Sequence, residues 1–337
     1  MNIAVFLGGL STERDISIKS GTAVFKALKE LGHNPIIVDP ALGKDGFFFD
    51  IEDIKKLPRF SELDKEKFSP KKYLEAINFA TLDDVEFAFV VLHGKFGEDG
   101  TIQTLLEFKG IPYSGSGPKA SAIGLDKNLS KILFTAAGIP TPKWTIVRAT
   151  ETDNFELCND LRNEFGKQLV IKPNDQGSTV GTTIVFDGNL DEIHNGLKNA
   201  SKYSDIVIIE EYIAGKEITV GIVESKALPI IEIVPESGFY DFEHKYTKGK
   251  SEYICPAELP DDVTEFVQDL ALSAFHILGC KGFARVDFRL NEDFQPFVLE
   301  INTIPGFTET SLVPMAALTL GIDFPTLCQK IIDESLK

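Results

Sequence analysis

The chain opens on a continuous apolar run, IAVFL (3–7), closed by Gly8-Gly9. The pattern then turns helical over 13–31, with Ile16, Val24, Leu28 and Leu31 on one face and Gly32 as the stop signal. Two more short apolar runs follow, PIIVD (35–39) and FAFVVLHG (87–94), with a charged, poorly periodic segment (51–80) between them. A helix is predicted over 101–109, before IPYSG. Buried strands alternating with amphipathic helices predict a parallel sheet that binds ligands at its strand C-termini. Glu13, His93 and Gly94 fall at such ends.

Beyond these, DKNLSKILFTAAGIP (126–140) reads as a helix closed by Gly138 and Pro140. From QLVIKP (168–173) the texture changes. Short strands are predicted at 182–186, 206–213, 217–224 and 228–234, with one helix over 190–200. Their hairpin-like spacing predicts an α+β unit with largely antiparallel pairing. A loop rich in Gly, Lys and aromatic residues (238–252) precedes a long helix (262–278), the hairpin FARVDFRL–NED–FQPFVLEIN, and two C-terminal helices. The expected fold is therefore α/β followed by α+β. At 337 residues, two or three domains are expected.

Composition narrows the function. The hydrophobic fraction of 43% suits a soluble globular protein. No stretch approaches the ~18 consecutive apolar residues of a membrane span. The first apolar run has no basic segment before it and no small-residue cleavage site, so a cytoplasmic protein is expected. A net charge of −17 argues against nucleic-acid and anionic-membrane partners. An anionic ligand would need a local basic island. Cys158, Cys255, Cys280 and Cys328 lie far apart without CxxC pairing, and the five histidines show no zinc-ligand spacing.

The hairpin at 283–302 concentrates the chemistry. Strand residues two apart share a face. Arg285 and Asp287 therefore point one way, with Val286, Phe288 and Leu290 packing the other. On the return strand Glu300 and Asn302 share a face, with Leu299 and Ile301 opposite. Folding about 291–293 sets Asp287 roughly against Glu300 and Asn302, a hard oxygen-rich set suited to Mg²⁺. The plainer reading is an exposed polar face of a two-layer sheet. In NTIPGFTETSLVP, Gly306 permits close backbone approach. Ser311 and Leu312 open a helix whose free N–H groups suit a carboxylate or phosphate, or form an ordinary capped connection. Thr12-x-x-Asp15 fits a capping box, which would leave Glu13 a first-turn acid; alternatively Glu13 binds an ammonium group. His93 is either packed at its strand end or a ligand contact. IIEEYIAGKE (208–217) is either an edge strand with solvated glutamates or a linker pairing with an adenine edge. KPNDQGSTVG (172–181) resembles a phosphate loop, yet its lysine precedes the glycines and GxxxxGK[ST] is absent.

Taken in order, GGLSTERDIS, LHGKFGEDGTIQTLLEFKGIPYSGSG, DKNLSK, IKPNDQGSTVG, EEYIAGKEITVG, FYDFEHKY, ARVDF and LEINTIPGFTETSLVP resemble the ATP-grasp superfamily. Within it they resemble the D-alanine–D-alanine ligase family, over almost the whole chain. The resemblance implies a three-domain ATP-grasp architecture: an N-terminal parallel α/β domain (1–116), then two α+β domains (117–213 and 214–337) sandwiching ATP. It implies ligation of two D-alanine molecules through an acyl phosphate, for peptidoglycan precursors, with another carboxylate–amine product such as the D-lactate ester as the alternative. Lys127 and Lys172 would hold ATP phosphates beneath the GSTVG loop. Glu210, Glu211, Ile213 and Glu217 would form the adenine and ribose edge, with Phe239 and Lys245 also on ATP. Relatives often carry lysine at the position of Glu211. Asp287, Glu300 and Asn302 would hold two Mg²⁺ (or Mn²⁺) ions. Glu13 would bind the first amino group, with His93 nearby and Ser178 and Tyr246 in a relay with it. Arg285 and the Gly306 N–H would stabilise the oxyanion, and Ser311 and Leu312 would hold the second carboxylate. Lys127, Lys172, Lys245 and Arg285 would be the basic island. Tyr246, where phenylalanine accompanies D-lactate use, favours D-alanine. A homodimer is the family expectation.

Overall fold

A computed structural model describes residues 1–62, 69–235 and 251–337, which are organised around three sheets. The first contains β1 (Asn2–Phe6), β2 (Asn34–Val38), the two-residue β3 (Phe47–Phe48) and β4 (Phe87–Val90), in the order β3-β2-β1-β4. β1 pairs in parallel with both β2 and β4, and only β3 runs antiparallel. Residues 3–7 and 87–91 are wholly buried. Burial on both faces is why these strands read as continuous apolar runs rather than alternating ones. The helix α1 (Arg14–Glu30) links β1 to β2. It lies close to the sheet because of Gly21, where an added Cβ would sit 2.6 Å from Leu7 Cβ. α2 (Lys71–Ile77) falls within the segment read as charged and aperiodic, and α3 (Thr101–Lys109) has the bounds predicted for it. The strand expected over 87–94 stops at Val90, leaving His93 and Gly94 in the following loop.

Two helices, α4 (Pro118–Leu125) and α5 (Lys127–Ala136), lead to the second sheet. It comprises β5 (Trp144–Arg148), β6 (Leu169–Pro173), β7 (Thr183–Val185) and β8 (Ile206–Glu211), antiparallel in the order β5-β8-β6-β7. α6 (Glu156–Phe165) and α7 (Leu190–Ala200) cover it through Cys158, Leu161, Ile193 and Leu197.

The third sheet is built from β9 (Lys216–Val223), β10 (Lys226–Ala227), β11 (Ile231–Pro235), β12 (Ser251–Ile254), β13 (Phe283–Leu290) and β14 (Pro296–Asn302). Its order is β12-β11-β9-β13-β14, with β10 paired to β9. α8 (Asp261–Ile277) packs on it through Val267, Ala271, Ala274 and Phe275. α9 (Leu312–Thr319) and α10 (Phe324–Ser335) return to the first sheet, where Phe307, Val313 and Leu327 share one core with Leu7, Val24 and Leu28. The C-terminal end of the chain is thereby fixed to the N-terminal sheet. Among the described residues no single helix is long and apolar enough to cross a membrane.

Candidate active site

Glu13 occupies the N-cap of α1, but its side chain makes no capping bond, and the Thr12-x-x-Asp15 capping box does not form. Asp15 instead accepts from the Phe60 N–H at 3.3 Å. Glu13 is buried, and its carboxylate accepts a hydrogen bond from the hydroxyl of Ser178 in the KPNDQGSTVG loop. The neighbouring Arg14 points the other way. Fully buried, it pairs with Asp39 and donates to the Gly9 carbonyl (2.8 Å) and the Pro58 carbonyl (2.7 Å). Asp39 also accepts from the Gly9 N–H at 3.1 Å. This ion pair fixes the glycine turn that leads to Glu13.

The hairpin of β13 and β14 pairs Asp287 with Glu300 and Arg285 with Asn302, as the alternation predicts. The register shifts between Asp287 and Phe288, because Phe288 pairs with Val298 and Leu299 is the extra residue of a β-bulge. Leu299 therefore lines the same cleft as Glu300, which corrects its expected place beside Ile301. Asp287 is held from both sides: Thr219 donates at 2.6 Å, and Arg285 makes a two-pronged pair at 2.8 and 2.7 Å.

One cleft runs between the second and third sheets. Lys127, Lys172, Glu210, Glu211, Ile213, Glu217, Asp287 and Glu300 line it, with apolar walls from Val170, Ile184 and Leu299. The Lys127 ammonium lies 3.0 Å from Glu300 and donates to the Gln176 carbonyl (2.7 Å). Burial presses its pKa down, but Glu300 and the other nearby carboxylates more than offset this, so it is raised. Lys172 lies 2.9 Å from Glu210. The Glu210 carboxylate is also 3.0 Å from Lys131, so a lysine faces each of its two oxygens. Burial acts to raise its pKa, yet the two ammonium groups hold it below the usual carboxylate range. Glu211 has both its backbone N–H and its carboxylate engaged with the Lys143 backbone, at 3.0 and 2.9 Å. Arg289 secures the turn after β8 by donating to the carbonyls of Ile213 (3.0 Å) and Gly215 (2.7 Å), and lies 3.7 Å from Glu217. The expected basic island thus alternates cations with carboxylates.

A second cleft is lined by Glu13, His93, Ser178, Arg285, Asn302, Gly306, Ser311 and Leu312. The buried His93 bonds through Nδ1 to the Ile304 carbonyl (2.9 Å). A carbonyl only accepts, so Nδ1 carries the hydrogen and Nε2 keeps its lone pair. Nε2 is buried and without a hydrogen-bond partner among the described residues. Burial lowers the pKa of this ring despite the Glu13 charge nearby. Glu98 accepts from the Gly94 N–H (2.6 Å) and the Ile304 N–H (3.4 Å), so His93 and Glu98 together hold both polar groups of one peptide residue. Burial first, then the Glu13 charge, push Glu98 up to about 8. At Gly306 an added Cβ would meet only Ser311 Oγ, at 3.6 Å, so the protein itself does not demand glycine there. Ser311 is the N-cap of α9, yet its hydroxyl accepts from the Thr308 N–H (2.9 Å) and does not cap the helix.

Both clefts are lined by Asp287, Glu300 and Glu217, which mark their junction. Asp287, Glu300 and Asn302 offer only oxygen donors, and Asn302 Oδ1 is buried with no hydrogen-bond partner among the described residues. That set fits a hard divalent cation. Phe239, Lys245 and Tyr246 lie outside the described residues. Sequence reasoning missed Lys131, Glu98, Arg289 and Leu299. Lys131 had a visible signal: α5 buries residues 127, 130, 131 and 134, so a lysine stands on the core stripe.

Comparison with known proteins agrees with this arrangement. Residues 2–116 match the family model for the D-ala D-ala ligase N-terminus, and residues 133–333 match that for its C-terminus. The chain is 42% identical to the D-alanine–D-alanine ligase of Methylacidiphilum infernorum, covering 99% of this chain and 95% of that one. It is 43% identical to that of Moorella thermoacetica, covering the whole of both. Among solved structures, the D-alanine–D-alanine ligase of Bacillus anthracis complexed with ATP superimposes with a TM-score of 0.77 at 34% identity, covering 100% of this chain and 97% of that one. With the two family models spanning most of the sequence and relatives aligned end to end, this chain belongs to the D-alanine–D-alanine ligase family.

Proposed function

We propose that the chain joins two D-alanine molecules into D-alanyl-D-alanine, converting ATP to ADP and phosphate, for peptidoglycan precursors. The observation that carries this reading is the meeting of two clefts at Asp287 and Glu300. A cleft with an apolar slot and two lysines suits a nucleotide triphosphate. A second cleft, bearing a buried carboxylate, an arginine and a helix N-terminus, suits amino acids. Their junction is where a phosphoryl group would pass from one to the other.

A carboxylate does not condense with an amine at neutral pH, because the leaving group would be oxide. In the proposed reaction a carboxylate oxygen of the first D-alanine attacks the γ-phosphorus, giving an acyl phosphate and ADP. The ammonium of the second gives one proton to solvent, its amine attacks the carbonyl carbon, and phosphate leaves, taking up the proton shed as the amide forms. Glu13 binds the first ammonium, oriented by Ser178. Lys127 and Lys172 hold phosphate oxygens, and the β8–β9 turn with Glu210, Glu211, Ile213 and Glu217 forms the nucleoside edge. The Glu210 carboxylate acts on Lys172, and Glu211 contributes backbone rather than its charge. Arg285 and the Gly306 N–H meet the developing oxyanion, and Ser311 with the Leu312 N–H, at the start of α9, hold the second carboxylate. His93 steadies the Ile304 peptide that leads to Gly306. Asp287, Glu300 and Asn302 would hold two Mg²⁺ (or Mn²⁺) ions, which neutralise charge on the phosphates.

Three domains, divided near 116 and 213, and a cytoplasmic homodimer belong to the same proposal. The test is ADP release with Mg²⁺, assayed with and without D-alanine, and mass analysis of the product. D-Alanine-dependent release with D-alanyl-D-alanine formed is expected. ADP release indifferent to D-alanine would overturn the reading.

A further inference from the structure

Lys131 is fully buried and does not line the nucleotide cleft, whereas Lys127, Lys172 and Glu210 do. It stands one helical turn after Lys127, on the same face of α5. Its ammonium lies 3.0 Å from Glu210, donates to Thr141 Oγ1 (2.7 Å), and sits 5.5 Å above the Trp144 ring. Thr141 in turn donates to the Val298 carbonyl of β14 at 2.7 Å. The other oxygen of Glu210 faces Lys172 at 2.9 Å.

An ammonium buried this completely is costly, and apolar replacements for buried ion pairs are often neutral or stabilising. Stability alone therefore gives little reason for a lysine here. Charge does. With Lys131 present, the group Lys131–Glu210–Lys172 carries a net single positive charge, and its only cleft-facing cation is Lys172. Without Lys131, Glu210 and Lys172 would form a neutral pair, and the carboxylate would compete with phosphate for the Lys172 ammonium.

We propose that Lys131 is a positioning residue for ATP: by neutralising Glu210 it leaves the Lys172 ammonium its charge for the nucleotide's phosphates. Burial pushes Lys131 down to about 8, with Glu210 holding it up against Lys172, so it is still largely cationic at neutral pH. The two lysines of α5 thus serve both sheets, Lys127 at Glu300 on the third and Lys131 at Glu210 on the second.

The inference rests on the ligase reading, and its test is separable from it. ATP affinity is measured by calorimetric titration for the wild type, Lys131→Met and the double variant Lys131→Met/Glu210→Gln. The single variant should raise the ATP Kd roughly tenfold or more, the scale of a charged hydrogen bond. The double variant should return it to within about threefold of the wild type. A packing defect would not be repaired by neutralising Glu210. An unchanged Kd in the single variant, or a double variant as weak as the single, overturns the proposal. Should Lys131→Met not fold, the double variant is compared with Lys172→Met. A double variant that binds ATP as weakly as Lys172→Met counts against the proposal, and near-wild-type affinity supports it. A wild-type chain with no ATP affinity would sink the ligase reading, and this proposal with it.

Discussion

Replacing Ser178 by alanine removes one hydroxyl and, with it, the hydrogen bond to Glu13. Ser178 sits at φ +52°, in the left-handed region, and Thr179 follows at φ +62°. Serine and alanine both carry a Cβ, so the backbone cost there is nearly the same for either. Among the described residues, what changes is the hydrogen bond to the Glu13 carboxylate, whose two ends are each only 8% exposed. A hydrogen bond to a charged partner contributes about 1.5–3 kcal/mol. The lost alignment of Glu13 should therefore lower kcat/KM for D-alanine by roughly ten- to a hundredfold. The loop backbone proposed to cover the phosphates remains, so ATP affinity should change by no more than about threefold. Initial rates of phosphate release against D-alanine at saturating ATP, with the ATP Kd measured separately, make the comparison. Equal losses toward both substrates, or no loss toward D-alanine, would refute the role given to Ser178.

Tyr246→Phe, at a position outside the described residues, should raise the share of D-lactate ester over dipeptide when both acceptors compete; an unchanged product ratio argues against the specificity role. Gly21→Ala should destabilise the fold by about 1–3 kcal/mol despite alanine's better helix propensity, because its Cβ would lie 2.6 Å from Leu7 Cβ. Thermal unfolding reads this, and a raised Tm would contradict the close packing of α1 on its sheet. For Glu98, the folded-state pKa is raised from its ordinary 4.5 to about 8, so folding favours the protonated carboxyl. Its contribution is fully present below 4.5 and is lost as pH rises towards 8. Urea unfolding at pH 5 and pH 8.5 should show the wild type losing stability relative to Glu98→Gln as pH rises, and parallel pH curves would sink the assignment.

Periodicity made the buried strands and the longest helices legible, because burial on both faces or on one stripe leaves strong patterns. It missed β5, whose Ile146 stands 43% exposed in an otherwise alternating strand, and α6, which buries only Cys158 and Leu161. The hairpin register followed from alternation, but the bulge at Leu299 did not, since one inserted residue leaves no local signature. Resemblance brought Glu13 and Ser178 into one site, although they lie 165 residues apart. Local rules alone favoured a capping box. Lys131 was legible and overlooked: a lysine on a core stripe implies a buried anion, and Glu210 was already among the candidates.

In the proposed reaction ATP phosphorylates the carboxylate of the first D-alanine. The direct measurement uses D-alanine labelled with ¹⁸O in both carboxylate oxygens, with mass analysis of the phosphate released. Attack by a carboxylate oxygen on the γ-phosphorus, followed by departure of phosphate from the acyl carbon, transfers one labelled oxygen to each phosphate per dipeptide formed. Unlabelled phosphate alongside dipeptide formation would show that no acyl phosphate lies on the path.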